Sequence, residues 1–206
     1  SDVYKRQDMG FSNATQQVGL EMYRFCHNST GSTIPNGTPV YFVGAHLDHI
    51  SVAPAVAGSG IEPTKVVGIT TADILDDDHG YVTWYGLIHD IDASGTSVGE
   101  TWLEGDVLYL HPTIAGGLTK VKPTSPYVVL PMCAVVNNSS TVGVLAVKPT
   151  PAPRLFYGTF RDTTTQTPAV INTAYPITLN TTDTTSGFSL GTPTSRIVAE
   201  NSGRYQ

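Results

Sequence analysis

Hydrophobic residues along this chain come in short runs, and Gly, Pro, Asn and Asp break each run before a helical face could form. The clearest run is Tyr81 to Ile88, where Val82, Trp84 and Gly86 alternate with Tyr81, Thr83 and Tyr85. That period of two places successive side chains on opposite faces of a pleated strand. Further strands are predicted over Val18–Cys26, Pro39–Ala45, Lys65–Thr71, Asp106–Leu110, Tyr127–Asn137 and Val142–Val147. Between the first two, Asn28, Gly31, Pro35, Asn36 and Gly37 supply turn chemistry, so 18–45 reads as a β-arch or a hairpin. Ile50–Pro63 is rich in small residues and reads as an irregular strand and loop, and Ala72–Gly80, ADILDDDHG, as an acidic turn. The stretch from Gly80 to Pro126 offers no room for a long amphipathic helix. Short strands at this spacing predict a small barrel or sandwich.

Lys148–Pro153, KPTPAP, carries three prolines in six residues and behaves as a stiff extended linker, since each proline fixes φ and restricts its predecessor. The organisation expected is therefore a β-rich module over 8–147, the linker 148–153, and a second β unit over 154–206. In that unit strands are predicted near Leu155–Arg161, Tyr175–Leu179, Gly187–Leu190 and Arg196–Ala199, with hydroxyl-rich turns between. About fifty residues fall short of the ~100 of a full sandwich, so this part is expected to be a truncated domain. Residues 1–7, SDVYKRQ, read like translated sequencing-adapter sequence and are set aside as a tag would be.

Composition sharpens the fold class. Charged residues make up 14%, against ~25% in ordinary soluble domains. Thr and Val favour strands, while 20 Gly and 14 Pro interrupt helices. The fold expected is all-β. A net charge of −6 removes the electrostatic basis for gripping a phosphate backbone, so nucleic acid is not an expected partner. No apolar run approaches a membrane-spanning length, and no membrane insertion is expected. Cys26 and Cys133 sit in apolar, strand-like runs and are expected as reduced, buried thiols.

Candidate chemistry is sparse. Gly44–His49, GAHLDH, resembles the strand-end Gly-Ala-His-x-Asp of co-catalytic zinc aminopeptidases, in which a carboxylate orients the ligating imidazole. The rest of that pattern is missing: there is no Glu-Glu pair, no bridging Asp in a Gly-rich setting and no α/β periodicity. His46, Asp48 and His49 could otherwise hold an adventitious ion, but three residues from one loop would need distant ligands to complete a site. Asp73, Asp76, Asp77 and Asp78 lack the spacing of a calcium loop and read as a solvated acidic turn. His79, His89 and His111 read as surface residues. Gly95–Gly99, GTSVG, and Gly187–Gly191, GFSLG, have the Gly-x-Ser-x-Gly spacing, but no helix is predicted after either, so neither reads as a nucleophile elbow. Glu100, Glu104 and Asp106 read as turn acids with no sugar-sized gap between them. No catalytic residue and no cofactor is expected.

A larger resemblance lies in Tyr81-Val82-Thr83, Gly86, Ile91-Asp92, Gly95, Gly99-Glu100-Thr101-Trp102, Pro112-Thr113 and Lys122-Pro123, and above all in EGDVLYLHPTIAGGLT over 104–119. With GLEMYRFCHNSTGSTIPNGTPV and VVGITTADI, these resemble a module of tailed-bacteriophage tail-fibre and head-fibre proteins, over roughly Val18 to Val147. Thr159–Leu190 is similar to the start of a jelly-roll knob of the complement and tumour-necrosis-factor type. The resemblance implies a small β-barrel or sandwich domain followed by an incomplete jelly-roll-like sandwich. It also implies a homotrimer located in the virion, with other virion proteins and a host surface glycan or protein as partners. A capsid decoration protein is the alternative, and a zinc-dependent hydrolase built on His46, Asp48 and His49 is a further one.

Overall fold

The computed structural model describes residues 6–9, 15–17, 20–58, 61–124, 127–151 and 156–199. The chain divides into two compact units, between Ala152 and Pro153. The fold is all-β, with two short 3-10 turns at Pro63–Lys65 and Thr96–Val98.

In the first unit, β1 (Arg6–Asp8) pairs antiparallel with β2 (Thr15–Gln17), so Arg6 and Gln7, set aside above as foreign sequence, take part in pairing. The main sheet contains β3 (Met22–Asn28), β4 (Pro39–His46), β5 (His49–Pro54), β6 (Val66–Thr70), β7 (His79–Ile91), β8 (Val107–Leu110), β9 (Leu118–Thr119), β10 (Pro131–Asn137) and β11 (Gly143–Val147). Its order is β3-β5-β4-β6-β7-β11-β10-β8-β9, and β3 also pairs with the first half of β7. The strands β3 to β7 thus close into a barrel. Beyond Tyr85, β7 leaves the barrel and pairs through Gly86–Ile91 with β11, carrying the rest of the sheet.

The segment 18–45 is an arch and not a hairpin. β3 and β4 do not pair; β5 lies between them, parallel to β3 through Cys26↔Ile50 and antiparallel to β4. The chain crosses the barrel end instead, and a second arch between β6 and β7 crosses it too. At their crests Ile34 and Ile74 exchange N–H···O bonds of 2.9 and 2.8 Å, and both side chains are buried. Asn28, fully buried, donates to the carbonyls of Ser32, Ile74 and Leu75 and accepts from Thr30. The acidic turn is solvent-exposed as expected, yet it also ties the arches together. Asp76 Oδ1 accepts from Gly31 N at 2.7 Å and Asp73 Oδ1 from Asn36 N at 2.8 Å.

Two cores result. Cys26, Ile34, Val40, Val52, Ile74 and Val82 fill the barrel. A larger cluster including Ile69, Ile88, Trp102, Leu108, Leu110, Leu130, Met132, Cys133 and Leu145 fills the remainder of the unit. Each fully buried aliphatic contributes ~1.5–3 kcal/mol. Both cysteines are buried free thiols, and burial pushes the Cys26 thiol up to about 12. Gly68 marks the tightest backbone approach: a Cβ there would lie 2.1 Å from the Thr83 carbonyl oxygen. Of the linker, Lys148 and Thr150 donate to the carbonyls of Met132 and Pro131, extending the sheet by backbone bonds.

The second unit holds β12 (Tyr157–Arg161) paired antiparallel with β13 (Thr181–Ser186), and β14 (Phe188–Leu190) paired with β15 (Ile197–Ala199). The predicted strand at Tyr175–Leu179 is absent, and Thr181–Ser186, read above as a turn, is a strand. Four threonines stiff at χ1 suit the pleat better than the intervening polarity suggests. Arg161 Nε donates to Asp183 Oδ1 at 2.8 Å across the pair. Leu155 and the Tyr205–Gln206 terminus lie outside the described residues.

Candidate functional site

The sequence singled out His46, Asp48 and His49. They lie at the β4–β5 hairpin, where His46 and His49 are cross-strand partners around a two-residue turn of Leu47 and Asp48. Leu47 holds φ at 51°, a left-handed conformation that L-residues without a polar side chain adopt at a cost. Barrel closure brings two distant imidazoles to this hairpin. His27 and His79, partners across β3 and β7, sit beside it, so four of the six histidines form one cluster. His27 stacks on His46 with centroids 4.0 Å apart and planes 13° apart, and His79 lies 4.8 Å from His27 and 5.0 Å from His49. Phe25 extends the array, stacked on His79 at 5.2 Å and edge-on to His49 at 5.1 Å.

This is a packing of ring faces. Metal ligation needs nitrogen lone pairs aimed at one point, at ~2.0–2.1 Å for zinc. Among the described residues no three His, Cys, Asp or Glu side chains are placed to hold one metal ion. His27 is only 1% exposed; its Nε2 lies 3.3 Å from the exposed Asp77 Oδ1, without the alignment of a hydrogen bond. The buried Nε2 of His79 also lacks a hydrogen-bond partner. Burial holds the His79 imidazolium below the ordinary histidine value, and the neighbouring His27, His49 and His46 push it the same way against the pull of Asp78. His79 is thus half-buried in this cluster; of the three histidines read as surface residues, His89 alone is plainly exposed.

The block 99–120 uses its polar groups on its own backbone. Burial opposes ionisation of Glu100, but bonds from the Thr119 hydroxyl, the Lys120 N–H and the Trp102 indole outweigh it and hold the carboxyl below its ordinary range. Asp106 Oδ2 accepts from Leu103 N at 2.9 Å, and His111 Nδ1 accepts from the N–H groups of Thr113 and Ile114 at 3.1 and 2.9 Å. Gly116 takes φ 73°, and a Cβ there would lie 2.7 Å from Thr38 Cγ2. The side chain of Glu104 is exposed.

A groove lies at the barrel end opposite the arches. Its volume is about 320 Å³, and its lining includes Arg24, Phe42, Ile50, Thr64, Lys65 and Trp84. These continue the inward-facing rows: Arg24, Phe42, Ile50 and Trp84 each lie two residues from Cys26, Val40, Val52 and Val82 on the same strand. Beyond the core the rows widen and open to solvent.

Compared with protein-family models, with curated proteins and with solved structures, the chain matches none.

The histidine cluster could not be found from spacing, because its members come from four strands brought together by closure. The groove had one visible signal, the alternation through Val82 and Trp84. What was missing was the knowledge that the Trp84 face points into a barrel.

Proposed function

We propose that this chain is a structural component of a tailed-phage virion, a tail-fibre or head-fibre segment that contributes to attachment at the host surface. The observation that carries the reading is the block Glu104–Thr119, whose sequence bears the resemblance and whose polar groups serve as braces. Asp106 and His111 accept backbone N–H bonds, and the neighbouring Glu100 is tied by three donors. Such a stiff wall suits a part that is assembled, loaded and presented.

In this reading the chain works as a homotrimer among other virion proteins, has no reacting centre or cofactor, and carries in its second unit the start of a jelly-roll-like knob. Ile171 and Ile177, 88% and 73% exposed, support burial between copies.

The test is localisation and binding. Antibodies against the chain should label fibres of the virus that carries it, and the labelled protein should bind host cells. Stoichiometric attachment to empty capsids with no binding to cells would instead establish the decoration protein. Stoichiometric zinc lost on His46→Ala would establish the metal-dependent reading.

A further inference from the structure

We infer that the open mouth of the five-stranded barrel binds a carboxylate-bearing sugar ring, with Trp84 and Phe42 receiving a ring face and Arg24 receiving the carboxylate. The inference rests on the surface-attachment reading for its setting and on the groove for its chemistry.

The mouth is built by irregularities in otherwise regular strands. On β7, Thr83 and Tyr85 oppose consecutive residues of β3, so Trp84 is the extra residue of a β-bulge. On β6, Gly68 and Val66 oppose the consecutive Val40 and Tyr41, so Val67, which also lines the groove, is the extra residue of a second bulge. Bulges re-aim side chains and gather at barrel rims and functional sites. Here the Trp84 bulge leaves the indole 43% exposed at the mouth, beside a Phe42 ring that is 39% exposed. Trp102, by contrast, is buried and its indole N–H is bonded to Glu100.

Charge selects the ligand. The chain carries 11 Lys and Arg against 17 Asp and Glu, yet among the described residues the groove is lined by Arg24 and Lys65 and by no carboxylate. Lys65 is engaged at 3.6 Å with Glu62, whereas no carboxylate among the described residues pairs with Arg24. A guanidinium fork matches a carboxylate bidentately and gives orientation as well as affinity.

Shape selects a sugar over a peptide. An extended peptide adds a strand along a regular run of sheet edge, and the edges at the mouth are short and interrupted by the Trp84 and Val67 bulges, with β6 meeting β7 only through Ile69 and Thr70. A pyranose needs no such edge: its C–H face lies on an aromatic ring while its hydroxyls and carboxylate project from the rim, toward groups such as Arg24 and the Thr64 hydroxyl. The volume of about 320 Å³ is at the low end of the ~300–1,000 Å³ of small-molecule sites and suits one or two rings.

The experiment uses the full chain and a uronic-acid trisaccharide, with its methyl ester as the uncharged control. Titration followed by tryptophan emission should give a saturable change that Trp84→Leu removes, because Trp102 is sheltered. By calorimetry, Arg24→Gln should weaken binding by about tenfold or more, and Arg24→Lys by less. Arg24 is exposed, and an unchanged far-ultraviolet spectrum checks that the variants fold. Should a variant fail that check, Lys65→Gln and the methyl ester supply the same test on intact protein, each with weakened binding expected. Equal affinity for acid and ester, or for wild type and Arg24→Gln, overturns the inference. So does a polyglutamate peptide that binds as tightly as the trisaccharide, or inorganic sulfate that displaces it at equal concentration. A virion-borne chain that binds no acidic sugar sinks this inference and leaves the attachment reading standing; sugar binding by a chain absent from virions does the reverse.

Discussion

The two units of this chain are made from the same kinds of residue and solve the problem of stability differently. Every buried apolar side chain among the described residues lies between Cys26 and Val147, in two clusters that share the long strand β7. Beyond Pro153 the strands pair, yet Val170, Ile171, Tyr175, Ile177, Ile197 and Val198 all remain exposed. Two-stranded ribbons are marginal in water, because backbone hydrogen bonds offset little of the ordering entropy without apolar burial behind them. The lesson is that strand propensity makes ribbons, and closure into a barrel or a stacked sheet makes a domain.

The comparison breaks most readily by separating the halves. A fragment of residues 20–151 is expected to unfold cooperatively with dispersed amide resonances, and a fragment of residues 156–199 to give the narrow dispersion of an unfolded chain. A dispersed spectrum from the second fragment alone would show that its ribbons need no further burial. Next in size, Ile34→Ala at the arch crossing should cost ~2–5 kcal/mol in chemical denaturation. Ile177→Ala should change stability by no more than about 0.5 kcal/mol in the monomer. A large effect at Ile177 would mean that it is buried between copies.

Acid sharpens the contrast further. Because His79 is held below its ordinary 6.5, the unfolded chain binds protons more readily than the folded one, and stability rises with pH through that range. The first unit should therefore be at full strength above pH 6.5 and lose thermal stability as pH falls beneath it. His111, depressed mainly by burial, works in the same direction, and Glu100 adds its loss only below its ordinary 4.5. Melting temperature measured from pH 7.5 to 5 should fall, and His79→Phe, which keeps the stack and removes the charge, should flatten part of the fall. An unchanged slope would show that His79 takes up its proton as readily in the folded chain as in the unfolded one. A change of opposite sign is expected at the hairpin, where Leu47→Gly relieves a left-handed φ and should stabilise by about 1 kcal/mol.

Much of the first unit was legible because its strands carry a period of two and its turns carry Gly, Pro and Asn. The buried thiols and most strands of the first unit lie where pattern alone put them. Pairing was not legible: nothing local distinguishes an arch from a hairpin between β3 and β4, since the choice is made by β5 inserting between them. The strand Thr181–Ser186 was missed because a polar threonine run scores as a turn until a partner strand is known.

Sequence by itself determined that this protein is all-β, where its turns fall and which residues prefer burial, because those are local consequences of backbone sterics and side-chain polarity. Tertiary structure alone decided that four histidines meet, that Asp73 and Asp76 brace the opposite arch, and that Trp84, Phe42 and Arg24 share one opening. Those residues are far apart along the chain, and what unites them is barrel closure, a long-range register that no short window of sequence encodes.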